Sequence, residues 1–299
     1  YKKVEVGDIA YNSMRMWQGA SGYSLYSGIL SPAYTVVIPT EGVYSPFFAY
    51  MFKRPEMTHK FTINSQGLTS DTWNLKYPSF STIETNAPEY DEQIKIAEFF
   101  KSLDNLIILH QRKYNKSVIF KKSMLKKMFP NDEGDVPEIR FAEFTDAWEQ
   151  RKLKEISDKV IEKNVDLQFT ETFTNSAEFG IISQRDFFDH DVSNAKNLGS
   201  YYVVRNEDFV YNPRISTYAP VGPINRNKLG RTGVMSPLYT VFRTNDIDNT
   251  FLEQYFRSRN WHSFMKLNGD SGARSDRFSI KDSVLMEMPI PYPSLEEQM

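Results

Sequence analysis

The chain opens with Tyr1-Lys2-Lys3-Val4-Glu5-Val6-Gly7-Asp8-Ile9-Ala10-Tyr11-Asn12. Two hundred residues later the pattern returns as Tyr201-Tyr202-Val203-Val204-Arg205-Asn206-Glu207-Asp208-Phe209-Val210-Tyr211-Asn212. Further on, Ser31-Pro32-Ala33-Tyr34-Thr35-Val36 is matched by Ser236-Pro237-Leu238-Tyr239-Thr240-Val241, at an offset of 205 that holds to the C-terminus. Gly67, Ser70, Asp71 and Lys76 meet Gly272, Ser275, Asp276 and Lys281; Pro88, Glu92 and Gln93 meet Pro293, Glu297 and Gln298. The period far exceeds that of a solenoid or propeller, so each repeat is the size of a domain. The chain holds about one and a half copies of one unit, which suits it to reading two similar features in one ligand.

At 299 residues two domains are expected, and 22 Phe, 17 Tyr and 4 Trp are enough for two modest cores. The absence of cysteine excludes disulfides, thiolate metal sites and Cys nucleophiles and fits a reducing compartment. No apolar run approaches the length of a membrane span, and the opening residues do not read as a signal peptide. A net charge of -2 does not by itself favour nucleic acid. Cations do gather at Arg205, Arg214, Arg226, Lys228 and Arg231, and at Arg274 and Arg277; solvated surface charge is the plain reading.

Residues 1–90 mix short β-rich runs with turns. Residues 34–38 read as a strand between Pro32 and Pro39, and residues 46–52 as a short buried helix matched by 251–257. Asn64-Ser65-Gln66-Gly67, matched by Asn268-Gly269-Asp270-Ser271-Gly272, reads as a loop. Its glycines permit either a hairpin turn or close approach of backbone to a ligand. Between Pro88 and Pro130 there is no Pro or Gly, and apolar residues recur at spacings of three and four: Ile96, Phe100, Leu103, Ile107, then His110, Tyr114, Met124 and Met128. That spacing predicts a long amphipathic helix over 91–128, pairing with another helix in a coiled coil. Asp91 and Glu92 at its start and Lys121, Lys122, Lys126 and Lys127 near its end suit the helix dipole. Some 38 residues make a rod of about 57 Å.

Residues 130–137 read as a linker whose acidic cluster lacks the spacing of a calcium loop. A second domain begins near Phe141. Residues 141–200 have no counterpart in the first copy, and the chain closes where a second long helix would start. The sequence is therefore expected to be truncated at both ends.

Catalytic signatures are missing. His59, His110, His190 and His262 are scattered, and no metal-binding His pair, phosphate loop, dinucleotide fingerprint or nucleophile elbow occurs. Asn212-Pro213-Arg214 matches an amino-methyltransferase motif only superficially, and nothing raises Asp186 and Asp189 above surface charge.

Glu92-Gln93-Ile94-Lys95-Ile96-Ala97-Glu98-Phe99-Phe100-Lys101-Ser102-Leu103-Asp104 resembles the start of the long helix of Type I restriction–modification specificity (S) subunits. His110-Gln111-Arg112-Lys113 and Leu125-Lys126-Lys127-Met128-Phe129-Pro130 resemble its continuation. Pro137-Glu138-Ile139-Arg140-Phe141 and the stretch from Phe144 to Leu153 look like the lead into a second target-recognition domain. Pro289-Ile290-Pro291-Tyr292-Pro293 with Glu297-Gln298 looks like its exit. The resemblance implies an α+β chain of duplicated target-recognition domains joined by a long coiled-coil spacer helix. The parts would be residues 1–90 (late first domain), 91–130 (helix), 131–140 (linker), 141–293 (second domain) and 294–299 (start of a second helix). It implies a non-catalytic cytoplasmic reader of double-stranded DNA, each domain taking one half of a split site and the helix setting the gap. Two methyltransferase subunits and a translocating nuclease subunit would be partners. S-adenosylmethionine, ATP and Mg would belong to those subunits and none to this chain.

Sequence would be read by polar loop side chains, Arg on guanine and Asn or Gln on adenine. The candidates are Ser183, Gln184, Arg185, Tyr211, Asn212, Arg214, Lys228, Arg231, Ser271, Arg274 and Arg277 in the second domain, and Tyr11, Asn12, Arg15, Gln66 and Thr69 in the first. Tyr-Asn recurs in both copies and so points to a shared backbone role. Ile96, Phe100, Leu103, Ile107, Tyr114 and Met124 are candidates for helix packing, with self-association through the exposed seam as one outcome. Two other readings compete: a protein-binding scaffold that oligomerises through the helix, and an enzyme with an unrecognised site.

Overall fold

With neither Pro nor Gly to break it, the stretch after Pro88 forms one helix of 38 residues, Tyr90–Lys127, acidic in its first turn and basic in its last. The computed structural model describes residues 1–130, 134–187, 195–270 and 276–299. Contacts divide the chain into two units, Tyr1–Asn115 and Lys116–Met299, and the helix runs through the division.

In the first unit, strand Ile9–Asn12 is central between Ser21–Tyr23 and Tyr34–Val37, antiparallel to both, while Lys2–Val4 pairs with Gly28–Leu30. Ile9 and Tyr11, two apart on the strand, turn to one face. There they meet Met16, Phe61 and Leu75. Residues 55–63, read from sequence as part of a β-rich run, are instead helix Pro55–Ile63. Pro55 in the first turn needs no N–H partner. Met57 and Phe61, one turn apart, are both buried, worth about 2 kcal/mol for each large apolar side chain. Helix Ser45–Met51 precedes it, and Ala97 and Gln93 of the long helix close the core.

The second unit repeats this plan. Strand Phe209–Tyr211 is central between Ile224–Arg226 and Thr240–Thr244, with Ser157–Lys159 added outside, and Tyr202–Val204 pairs with Gly233–Met235. The registers agree: Ile9 faces Val37 and Tyr11 faces Thr35, as Phe209 faces Phe242 and Tyr211 faces Thr240. Lys2 faces Leu30 as Tyr202 faces Met235. A one-residue slip would turn every core side chain outward, so both copies bury the same pattern.

The repeat extends to single hydrogen bonds. Asp8 Oδ2 accepts from Glu5 N at 2.8 Å, and Asp208 Oδ2 from Arg205 N at 2.8 Å. Gln93 Oε1 accepts from Tyr44 N and its Nε2 donates to Pro88 O. Gln298 Oε1 accepts from Asp248 N and its Nε2 donates to Pro293 O.

The second unit also carries what the first lacks. A hairpin, Phe173–Ser176 with Gly180–Ser183, covers strand Gly233–Met235, which is buried throughout, whereas its counterpart Gly28–Leu30 is largely exposed. Strand Glu149–Lys152 pairs antiparallel with Pro289–Tyr292, so the start and end of this domain lie side by side. Arg140 donates to both oxygens of Glu297 at 2.7 Å, and Trp148 Nε1 adds a third bond at 3.0 Å. The end of the long helix belongs to this core: Phe129 packs on Trp148, Phe251 and Tyr255, and Ile139 N donates to Lys127 O.

Candidate nucleic-acid interface

In each unit the central strand ends in Tyr-Asn, and the Asn starts a turn. Asn12 Oδ1 accepts from Met14 N at 3.0 Å and Asn212 Oδ1 from Arg214 N at 2.9 Å. These are the local side-chain turns that Asn favours. The segment after each Asn is then stitched to the far side of the Gly-containing loop. Leu75 N donates to Ser13 O, and Phe278 N to Pro213 O. Both loops are closed at the neck, by Gln66 paired with Asn74 and by Asp270 paired with Ser279. Two chain segments distant in sequence thus form one rim.

In the first unit that rim carries Arg15, Gln66 and Thr69, all exposed. Leu68 at its tip is fully exposed. Trp17 and Trp73 meet edge to face at 5.2 Å and hold the two halves together. Thr69 serves the loop itself, its O accepting from Thr72 Oγ1 at 2.9 Å. Gly67 has φ 147°, and a Cβ there would lie 2.6 Å from Thr72 O. The glycine lets the loop fold onto itself.

In the second unit Arg214 and Arg277 are partners in an isolated backbone bridge, which sets two arginines on neighbouring segments of one rim. Ser271 and Arg274 lie outside the described residues. The turn after Asn212 is longer than its counterpart. Asn12 N donates to Ala20 O across seven residues, but Asn212 N donates to Pro223 O across ten. The longer loop presents Tyr218, 72% exposed. It closes at Gly222, φ 84°, where a Cβ would collide with Asn212 O at 2.1 Å. Under it Asn175, buried, donates to Val210 O and accepts from Asn225, while Asn212 donates to Asn175 O.

Other candidates stand elsewhere. Tyr11 and Tyr211 lie in the cores. Tyr211 donates to Val221 O at 2.9 Å, and burial pushes its pKa up. Ser183 is buried at the end of the hairpin, and Gln184 Nε2 bonds Phe173 O. Arg231 grips Glu171 with two bonds of 2.7 and 2.8 Å. Arg231, with Ser183 and Arg185 behind it, holds the Glu171 carboxyl below its ordinary pKa. Lys228 reaches Glu253 at 3.5 Å, a buried carboxylate also held by Arg226 and Arg257 at 2.6 Å.

On the long helix, Ile96 packs against the first core and Phe100 lies against Tyr50 at 5.3 Å. Tyr50 donates to Asp104 at 2.6 Å. Leu103, Ile107, His110 and Tyr114 line an open apolar strip. Met124 lines a cavity of about 330 Å³ with Leu125, Phe129 and Trp148.

Among the described residues no group of three His, Asp or Glu side chains could hold a metal ion, and no helix is long and apolar enough to cross a membrane. The residues that sequence reading passed over are Asn175, Trp17, Trp73 and Tyr218. The two Trp were a usable signal, being large aromatics placed in otherwise polar turns. Asn175 gave none, since its role comes from burial under a distant loop.

No family model matches the chain. A Type I restriction enzyme specificity subunit, MjaVIII, from Methanocaldococcus jannaschii is 23% identical over 300 residues, covering 95% of this chain and 68% of that protein. A solved chain from work on complex assembly of the type I R-M system superposes with a TM-score of 0.54 at 17% identity, over 99% of this chain and 72% of that one. The HsdS subunit of Thermoanaerobacter tengcongensis gives 0.51 at 17%, over 99% and 71%. The Type-I S subunit of M. genitalium gives 0.51 at 11%, over 99% and 74%. At these identities the solved structures establish a shared fold.

Proposed function

We infer that the chain belongs to the specificity subunits of Type I restriction–modification systems, and that it reads DNA sequence for such a complex without catalysing a reaction itself. The observation that carries this reading is the duplication. Two units of one strand register each end their central strand in a rim of polar side chains that differ between the copies, and a single unbroken helix runs through both.

The rims supply the chemistry of base recognition. Arg214 and Arg277, with Ser271 and Arg274, would read one half-site, and Arg15, Gln66 and Thr69 the other. A bidentate Arg–guanine or Gln–adenine pair is worth about 1–3 kcal/mol of discrimination. Arg15, Gln66 and Thr69 differ from their counterparts, as readers of unlike half-sites should. Asn12 and Asn212 do the same backbone work in both copies and shape the rims. Arg231, Lys228, Ser183 and Gln184 are engaged within the protein and act as supports, and Arg185 flanks them.

The helix sets the gap between half-sites, in the way a fixed spacing sets operator geometry for dimeric repressors. Two copies of one unit suit two methyltransferase subunits, joined by a translocating nuclease. S-adenosylmethionine, ATP and Mg act in those subunits. Such a complex works in the prokaryotic cytoplasm. The open apolar strip around Leu103, Ile107 and Tyr114 favours a helical partner, in this chain's complex or in a second copy. Selection of duplexes from a random pool by the chain with its methyltransferase subunits tests the reading. Enrichment of a split motif supports it; partner capture with no sequence preference points to a scaffold instead.

A further inference from the structure

A concavity of the second unit adjoins its rim at the Tyr218 loop. It has a volume of about 870 Å³ and lies between the last turns of the long helix, the Tyr218 loop and the segment after helix Asn249–Arg257. Lys122 and Lys126, one helical turn apart, line it together with Arg257, Arg259, His262 and Tyr218. No Asp or Glu lines it among the described residues. Arg257 is neutralised by Glu253. Lys122, Lys126 and Arg259 have no carboxylate partner among the described residues. Burial, reinforced by Arg259 and Lys266, holds the imidazole of His262 down to about 4, so the ring adds no charge at pH 7.

We propose that this cleft is a phosphate clamp, in which Lys122, Lys126 and Arg259 hold the sugar–phosphate backbone of double-stranded DNA while the neighbouring rim reads bases. The proposal rests on the DNA-reading function given above and deepens it. Three uncompensated cations around a concave, acid-free surface match a polyanion. The loop that brings Tyr218 to the cleft is the one whose first turn carries Arg214, so a duplex seated on the rim continues into the cleft. Backbone contacts of this kind fix register and orientation and carry no sequence information. A near-neutral chain needs such a local concentration of charge.

The test is the salt dependence of duplex binding by the full chain with its methyltransferase subunits, using one duplex that holds the selected motif and one of scrambled sequence. Each of Lys122→Gln, Lys126→Gln and Arg259→Gln should lower affinity for both duplexes by the same factor. Each should reduce the slope of log K against log salt by about 0.9, and the triple variant by about 2.7. Lys95→Gln, an exposed position at the other end of the helix, should leave the slope unchanged, and thermal melts confirm folding. An unchanged slope in the triple variant, with sequence preference intact, overturns the clamp and leaves the reading function standing. Loss of methyltransferase binding at unchanged slope overturns it in favour of an acidic protein surface. Failure of the unsubstituted complex to prefer either duplex over competitor overturns both.

Discussion

Replacing Gln93 should loosen the first unit and leave the second untouched. The residue is 3% exposed. The oxygen accepts from Tyr44 N at 3.0 Å, and the nitrogen donates to Gly42 O at 3.0 Å and Pro88 O at 2.9 Å. Tyr44 caps helix Ser45–Met51 and offers no side-chain cap, so Gln93 satisfies one of the donors that a helix start leaves open. Gln93→Ala removes three hydrogen bonds of about 1 kcal/mol each and strands their partners, though the exposed Gly42 carbonyl regains water. The expected cost is about 2–4 kcal/mol, or about 30- to 1,000-fold in the opening equilibrium. Gln93→Glu keeps the acceptor but sets a carboxylate against two carbonyl oxygens, so its penalty should grow as pH rises above the carboxylate range. Gln298 makes the equivalent bonds to Asp248 N at 2.8 Å and Pro293 O at 2.9 Å, and Gln298→Ala should cost about 1–3 kcal/mol. Hydrogen exchange resolved by peptide reads both. Gln93→Ala should raise exchange over residues 9–63 alone, and Gln298→Ala over 202–257 alone. Changes under about 0.5 kcal/mol, or both units loosening together, would refute the shared role.

Three further outcomes are expected. Arg140→Ala leaves Glu297, whose side chain is 7% exposed, with Trp148 as its remaining partner, and should destabilise the second unit by about 2–3 kcal/mol in urea. His262 is held neutral down to about 4 by burial; its folded pKa is depressed, so the stability present above pH 6.5 is lost as pH falls through 4. Acid unfolding of the second unit should therefore steepen over that window by about 2–3 kcal/mol, and His262→Phe should flatten it. Burial, then its hydrogen bond to Asp104, pushes the Tyr50 hydroxyl up to about 12. Its contribution is complete below pH 10 and fades as pH rises through 12, so Tyr50→Phe should remove an alkaline loss of stability in thermal melts of the first unit.

The long helix was legible because its signals were local: no Pro or Gly, apolar spacing of three and four, and charge matched to each end. It was predicted over 91–128 and spans Tyr90–Lys127. The repeat was legible because identity falls on residues with backbone duties. Asp8 and Asp208 close the same turn, Asn12 and Asn212 start the same loop, and Gln93 and Gln298 cap the same helix. Helix Pro55–Ile63 was missed because two Thr and an Ile mask its propensity. The rims were only half legible. Tyr211, recurring beside Asn212, looked like part of a site, but a side chain's direction comes from strand register, which spacing does not reveal. Arg214 and Arg277 were each named from sequence, but their pairing depends on a bridge between segments more than sixty residues apart. The cleft around Lys122 was invisible for the same reason: helix lysines read as a solvated end until the fold brings Arg259 into the same cleft.

The measurement that bears most directly on the account is a map of adenine methylation, made with this chain and its methyltransferase partner co-expressed in a methylation-free host. The account predicts modified adenines confined to a split motif with a fixed gap. Arg214→Ala and Arg277→Ala should relax one half of the motif, and Arg15→Ala and Gln66→Ala the other. Methylation without a motif, or no methylation while the partner remains bound, would contradict the claim that the duplicated rims read DNA.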